Sequence, residues 1–360
     1  MTSSTTTHVP PAGPARSGSG RFVLALVLLG ALLAGSALMS LTVGSRVNSI
    51  DEALHRVPGA LDYLLDPATT PGDVDELTVL IGTYRLPRTI LAVLCGAGLG
   101  AAGAVIQGHT RNPLADPGIL GINAGAAAAV VTVIGAGVAT GASGYVYPAM
   151  VGCAVVTLLI FLLSSGGPTA ANPVTVILAG VAVSALLMAY VHLMVLSSDT
   201  VLDQMRLWAT GSLAGRRMDV VTAIAPVICV GLVLALSQAP GLNLIALGTT
   251  TAASLGLPVA GVRALGLVTV AALGGAATAA AGPLSFVGLA APHIMRTLAG
   301  PDYRRIIPGA AVVGAILTLW ADMAGRVMAR PDEMAMGIVL ALVGVPVFIL
   351  LVRRRTVVGL

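Results

Sequence analysis

The residues of this 360-residue chain that could do covalent chemistry are few, and their spacing argues against it. All 19 basic residues are arginine and none is lysine. A P-loop needs a lysine on the phosphates, and imine chemistry needs a lysine amine, so both are excluded. Cys95, Cys153 and Cys229 lie far apart in apolar stretches without Cys-x-x-Cys spacing, which reads as small packing residues rather than a metal or disulfide set. His293 and Arg296 stand near the end of an apolar segment. No second His, Cys or acid falls at ligand spacing, so a structural or interfacial role is expected and metal binding is not. His192 reads as a satisfied buried histidine. What remains is charge at the edges of apolar runs. Arg85 and Arg88 flank Pro87 just before such a run, and Pro87 is expected to open its helix. There the two arginines either snorkel to the interface or meet an acidic partner protein. Asp322 lies four residues before Arg326, the spacing of a helical ion pair. Asn112-Pro113 and Asp116-Pro117 force a non-helical turn. Such a turn at membrane depth is tolerated only beside protein or a water-filled cavity.

The elements that position these groups follow from composition. The chain is 56% hydrophobic and 9% charged, against roughly 25% charged in a soluble domain, and its mean hydropathy is +0.96. The expected fold is an all-α polytopic membrane protein with about ten transmembrane helices, counted by apolar length. Residues 1–20, rich in Ser, Thr, Pro and Gly, are expected to form a disordered cytoplasmic tail. A secretory signal is the rival, but Phe22–Gly44 is 23 uncharged residues, the length of a span. An acidic external loop, 45–83, follows it. Further spans are Thr89–Gly108, two within Ile119–Leu163 broken at Gly141–Pro148, Pro173–Ser198, and one from Val220 to about Ser237. Ala264–Met295, interrupted at Gly282–Pro283, gives a full span and a short one; Ile306–Arg326 and Met334–Val352 complete the set. Residues 239–261 are apolar but too broken by Gly, Pro and Thr for a span; Thr250 to Leu255 are expected to form a short helix capped by threonine. Ten arginines fall on the inner side and nine on the outer, which does not decide orientation. The Arg353–Arg355 cluster after the last span and the acidic 45–83 loop lean toward both termini inside. Equal intervals from Ala101-Ala102-Gly103 to Pro113 and Gly121, and from Ala280-Ala281-Gly282 to Pro292 and Gly300, suggest an internal repeat. Nothing suggests nucleic-acid binding, because no basic cluster is interleaved with aromatics.

Arg85-Leu-Pro-Arg88, Gln107-x-x-x-Arg-Asn-Pro-Leu-Ala-x-Pro117 and Leu120-Gly-Ile-Asn-Ala-Gly125 together resemble the FecCD permeases, membrane subunits of ABC importers for iron-siderophores, haem and cobalamin. Leu178-Ala-Gly180, Trp208-x-x-Gly-Ser212, Phe286-x-Gly-Leu-x-x-Pro-His-x-x-Arg296 and the closing Glu333, Gly337, Gly344 and Pro346 extend the resemblance over about 20 to 355. Glu333-Met334-Ala335-Met336 departs from it, since the family places a proline before the glycine. The resemblance implies a cobalamin-permease-like fold with a permease domain over 21–355. It implies no cofactor and no ATPase activity of the chain's own. The implied partners are cytoplasmic ABC ATPase subunits, an extracytoplasmic substrate-binding protein and a second permease subunit, all around a lipid bilayer. It also implies roles residue by residue. Arg85, Arg88 and Arg326 match positions that dock the binding protein. Asn112 and Leu114 match the cytoplasmic narrowing of the pathway. Leu247, Gly248, Ala252, Leu255 and Gly256 lie in the segment that couples to the ATPase. The substrate implied is an iron-siderophore, with haem or cobalamin next. A self-sufficient secondary transporter is the rival, but it needs acids in mid-span, and Asp322 is the one acid within the expected spans.

Overall fold

The computed structural model describes residues 18–44, 50–65, 75–138, 141–164 and 173–355. The expected tail through residue 17, parts of the 45–83 loop (45–49 and 66–74) and the side chains of Arg353–Arg355 lie outside the described residues. The described helices run in order: α1 (Gly18–Thr42), α2 (Ile50–Leu65), α3 (Glu76–Thr110), α4 (Ile122–Gly135), α5 (Val146–Ser164), α6 (Pro173–Leu196), α7 (Asp199–Ala209) and α8 (Met218–Ser237). They continue as α9 (Ala239–Ala246), α10 (Thr249–Ser254), α11 (Val259–Ala281), α12 (Val287–Ala299), α13 (Tyr303–Met328) and α14 (Met336–Arg355).

Seven of these are long and apolar enough to cross a membrane: α1, α3, α5, α6, α8, α11 and α13. Ile122–Gly135 and Met336–Pro346 are apolar but shorter, and α12 has 13 residues. Each of the ten segments read as spans therefore has a helix, while seven meet the length for a crossing.

Helix α3 is the axis. It packs most heavily on α13, then on α11, α12 and α8. Small residues decide this. A Cβ on Gly100 would stand 2.1 Å from the Ala310 carbonyl, and one on Gly103 1.8 Å from that of Gly288. The backbones touch, so only glycine fits, and dispersion between helices replaces the hydrophobic drive that lipid does not supply. Thr318 of α13 adds a hydrogen bond to the Ala92 carbonyl at 2.6 Å. By contrast, α1 and α6 are mostly exposed along their apolar lengths.

Several local expectations differ from the structure. Pro87 does not open a helix: α3 begins at Glu76 and passes through a π-turn at Ile81–Arg85. The wider turn accommodates a residue that cannot donate to Thr83 and whose ring crowds that carbonyl. The 45–83 region carries helix α2, whose Ala60 buries against Ile81. The short helix α10 is preceded by Gly248 at φ +115, with no side-chain cap from a threonine. The equal intervals do not mark equivalent places: Ala101–Gly103 is mid-helix, whereas Gly282 at φ +78 terminates α11. Nor is His192 buried; it lies exposed on α6. Cys95 and Cys153 are buried, but Cys229 is exposed.

Candidate functional site

At one end of the bundle, Arg85 and Arg326 converge from α3 and α13 on the C-terminus of α1, with Arg88 beside them on Asp322. The last carbonyls of a helix have no intrahelical partner and carry its negative dipole end. Arg85 Nη1 donates to the Leu41 and Thr42 carbonyls at 2.8 and 3.1 Å. Arg326 Nη1 donates to those of Ser40 and Val43 at 2.8 and 2.9 Å. Asp322 accepts from Arg326, the expected pair, and also from Arg88, whose Nη2 and Nε lie 2.8 and 3.0 Å from Oδ1. Arg88 Nη1 reaches Glu333 Oε2 at 2.6 Å. Arg326 is 2% exposed and Asp322 equally buried. The three arginines, with Glu76, Tyr84 and Glu333, line one cavity of about 550 Å³. The convergence on α1 and the part played by Glu333 have no local sequence signal, because the partners lie 43 to 286 positions apart.

At the opposite end of α3, Arg111 at φ +50 stops the helix. Asn112 Oδ1 then accepts the Leu114 N–H at 2.9 Å, and Asp116 Oδ1 that of Gly118 at 2.8 Å. Burial pushes the Asp116 carboxyl up, while the Gly118 N–H pulls the other way. Asn112 and Leu114 are exposed at the tip. The turn is tied back by Gln107, whose Nε2 donates to the Ala115 and Gly288 carbonyls at 3.2 and 3.3 Å. Arg296 fixes that amide by donating to its Oε1 at 2.6 Å. His109 Nε2 meets Gln238 Oε1 at 3.1 Å, and Gln238 donates on to Thr269 at 2.8 Å. Sequence reasoning missed this polar network, although Gln107 and Arg296 stood within quoted motifs.

Beside that turn, α9 and α10 present Leu247 and Leu255, 66% and 62% exposed, while Ala252 is buried beneath them. Gly248 and Gly256 take positive φ on either side of α10. Asn243 clamps the segment to the start of α13: its Nδ2 donates to Asp302 at 2.6 Å and its Oδ1 accepts the Tyr303 N–H at 2.9 Å. Helix α13 therefore connects this platform directly to the Asp322–Arg326 pair. Among the described residues, no group of three or more His, Cys, Asp or Glu could hold a metal ion.

Residues 26–354 match the model of the FecCD transport family. The chain is 40% identical over 274 residues to the ferric enterobactin transport system permease protein FepD of Escherichia coli (strain K12), covering 76% of this chain and 81% of that one. It is 36% identical over 340 residues to the Fe(3+)-citrate import system permease protein YfmD of Bacillus subtilis (strain 168), covering 94% and 97%. It is 39% identical over 276 residues to the hemin transport system permease protein HmuU of Yersinia pestis, covering 75% and 82%. A solved structure described as an inward-facing conformation of a metal-chelate type ABC transporter superposes with a TM-score of 0.78 at 28% identity, covering 92% of this chain and 99% of that one. The chain belongs to the FecCD transport family and is a multi-pass cell-membrane permease subunit of an ABC importer.

Proposed function

We propose that this permease takes up a ferric chelate, an iron-siderophore, with separate ATPase subunits driving alternating access and a binding protein delivering the substrate. The observation that carries the reading is the set of relatives: permeases for ferric enterobactin, ferric citrate and hemin each match over three quarters of the chain or more. The two exposed leucines on α9–α10 support an ATPase contact, since an apolar surface held on a clamped platform wants a partner. Leu247, Gly248, Ala252, Leu255 and Gly256 form that contact. Asn112 and Leu114, at the turn tied by Gln107, narrow the inner end of the path. A second permease subunit covers exposed apolar length such as that of α6, and the path runs at the interface.

Arg85, Arg88 and Arg326 receive acidic groups of the binding protein through the cavity they line. The partner carboxylate takes the place of Glu333 on Arg88, while Asp322 stays in position. The test is ATP-dependent uptake of radioiron chelate into proteoliposomes holding the permease, the ATPase and the binding protein. Uptake that needs ATP and all three components is expected; uptake by the permease alone would overturn the reading. Leu247→Asp with Leu255→Asp should cut permease-stimulated ATP hydrolysis about tenfold or more, by burying a charge in an apolar contact. Unchanged stimulation would remove this segment from the ATPase contact.

A further inference from the structure

A second cavity, of about 720 Å³, lies between α7, the 210–217 linker and the start of α14. Its walls include Tyr145, Gln204, Trp208, Ser212, Arg216 and Glu333. Arg216 is 5% exposed and Trp208 4%. Among the described residues, Arg216 Nε and Nη1 and Trp208 Nε1 are buried donors without a hydrogen-bond partner. The neighbouring acids make their hydrogen bonds elsewhere: Glu333 Oε2 accepts from Arg88, and Asp219, whose charge attracts Arg216 without a hydrogen bond to it, accepts the Val220 N–H of its own helix on Oδ1. Tyr145 and Gln204 hydrogen-bond to each other. A guanidinium buried without a hydrogen-bonded counter-ion is costly, so its persistence points to an anion that satisfies it. The donors are of one kind, two guanidinium N–H groups and an indole N–H, and they suit an oxyanion.

We propose that Arg216 and Trp208 form an anion-recognition site for the transported chelate, favouring ferric complexes with exposed carboxylate or phenolate oxygens over neutral ones. This rests on the ferric-chelate reading above and names the subclass of chelate. Three observations favour a small molecule over an acidic protein surface. Both donors are more than nine-tenths buried. The cavity has the volume of a small-ligand site. Trp208 is also a wall of a neighbouring cavity of about 550 Å³ lined by Asn123, Ser184 and His192, so its ring stands between two spaces of small-ligand size.

The chain has two tryptophans, Trp208 and Trp320. Trp320→Phe leaves Trp208 as the reporter, and its fluorescence in the full chain in lipid nanodiscs can be titrated with three probes: ferric citrate, which is anionic, a neutral ferric tris-hydroxamate, and inorganic phosphate alone. Ferric citrate should quench saturably, and Arg216→Gln should weaken it about tenfold or more, the loss of a charge-assisted pair. Arg216→Lys should fall between, and the hydroxamate should bind equally to all three proteins. An unchanged citrate affinity in Arg216→Gln overturns the proposal. So does an equal loss for the hydroxamate, or phosphate binding as tightly as ferric citrate, which would mark a general anion or headgroup site. If Arg216→Gln does not fold, the preference of the Trp320→Phe protein decides, and equal affinity for citrate and hydroxamate overturns the site. Failure of the transport reading shows separately, as absence of ATP-driven uptake of any ferric chelate.

Discussion

Two buried arginine sites share Glu333 as a wall and are built on opposite principles. Around Asp322, Arg88 and Arg326 have their counter-ion supplied by the chain itself, and α1 lends its last carbonyls to Arg326 and Arg85. At the 210–217 linker, Arg216 is as deeply buried but has no hydrogen-bonded acid. The first arrangement holds three helices together. The second gives up stability, and a buried donor kept waiting in a cavity is better placed to act on a ligand than to hold the fold.

The contrast predicts effects of opposite sign. Asp322→Asn removes the acid from beneath two buried guanidiniums and should cost about 3–5 kcal/mol, the toll of breaking a buried pair. It is expected to show as loss of folded yield and a much lower melting temperature in detergent. A melting temperature within a few degrees of the parent would mean that the α1 carbonyls alone suffice. Arg216→Met should raise stability, by about 1–3 kcal/mol, because it removes unsatisfied buried donors. A destabilised Arg216→Met would show that the guanidinium is internally satisfied, and the two sites would then be alike.

Glu333 stands between the sites and is about a third exposed, so its pair with Arg88 is worth less, about 0.2–1 kcal/mol. Glu333→Gln should therefore melt close to the parent, yet capture the binding protein more tightly by freeing Arg88. Weaker capture would show that Glu333 holds Arg88 in the docking geometry rather than competing for it. This substitution is a cleaner probe of docking than charge reversal at Arg85 or Arg88, since an acid at Arg88 would sit against Asp322.

The sequence disclosed the features whose causes are local. Long uncharged runs had to become helices because lipid offers the backbone no other partner, and the Asp322–Arg326 spacing named its own pair. The two Xaa-Pro steps made the inner turn. The features it concealed are assembled across the bundle. Arg88 finds Asp322 from 234 positions away, and the acceptors of Arg85 and Arg326 are main-chain carbonyls, which carry no residue identity to read. Pro87 misled because a proline near an apolar run usually starts a helix, whereas here a π-turn carries the helix through it. Arg216 reads from sequence as one more outer arginine, since its burial comes from the folded surroundings of the 210–217 linker and not from its neighbours in sequence. The Gln107–Arg296 bond escaped for the same reason, with both residues already in quoted motifs.

The platform of α9 and α10 gives an effect that depends on pH and a test of how it is joined to α13. Partial burial pushes the Asp302 carboxyl up, but the Asn243 amide, the Arg304 N–H and the charges of Arg304 and Arg305 outweigh that and hold it below the ordinary carboxylate range. A carboxyl lowered on folding adds stability at pH values above its unfolded value, and that increment is lost as pH falls through the lowered folded value. In the pH range of transport the contribution is fully present, so Asp302→Asn should cost a constant amount there, about 1 kcal/mol for one charge-assisted bond on a mostly solvated group. Once the pH has fallen through that lowered value, the parent should converge on the variant. Because Asn243 also accepts the Tyr303 N–H, Asn243→Ala should cost more than Asp302→Asn at neutral pH and remain costly in acid. If instead the two variants melt together at every pH, the carboxylate is the whole clamp, and the link between platform and α13 rests on that one charge.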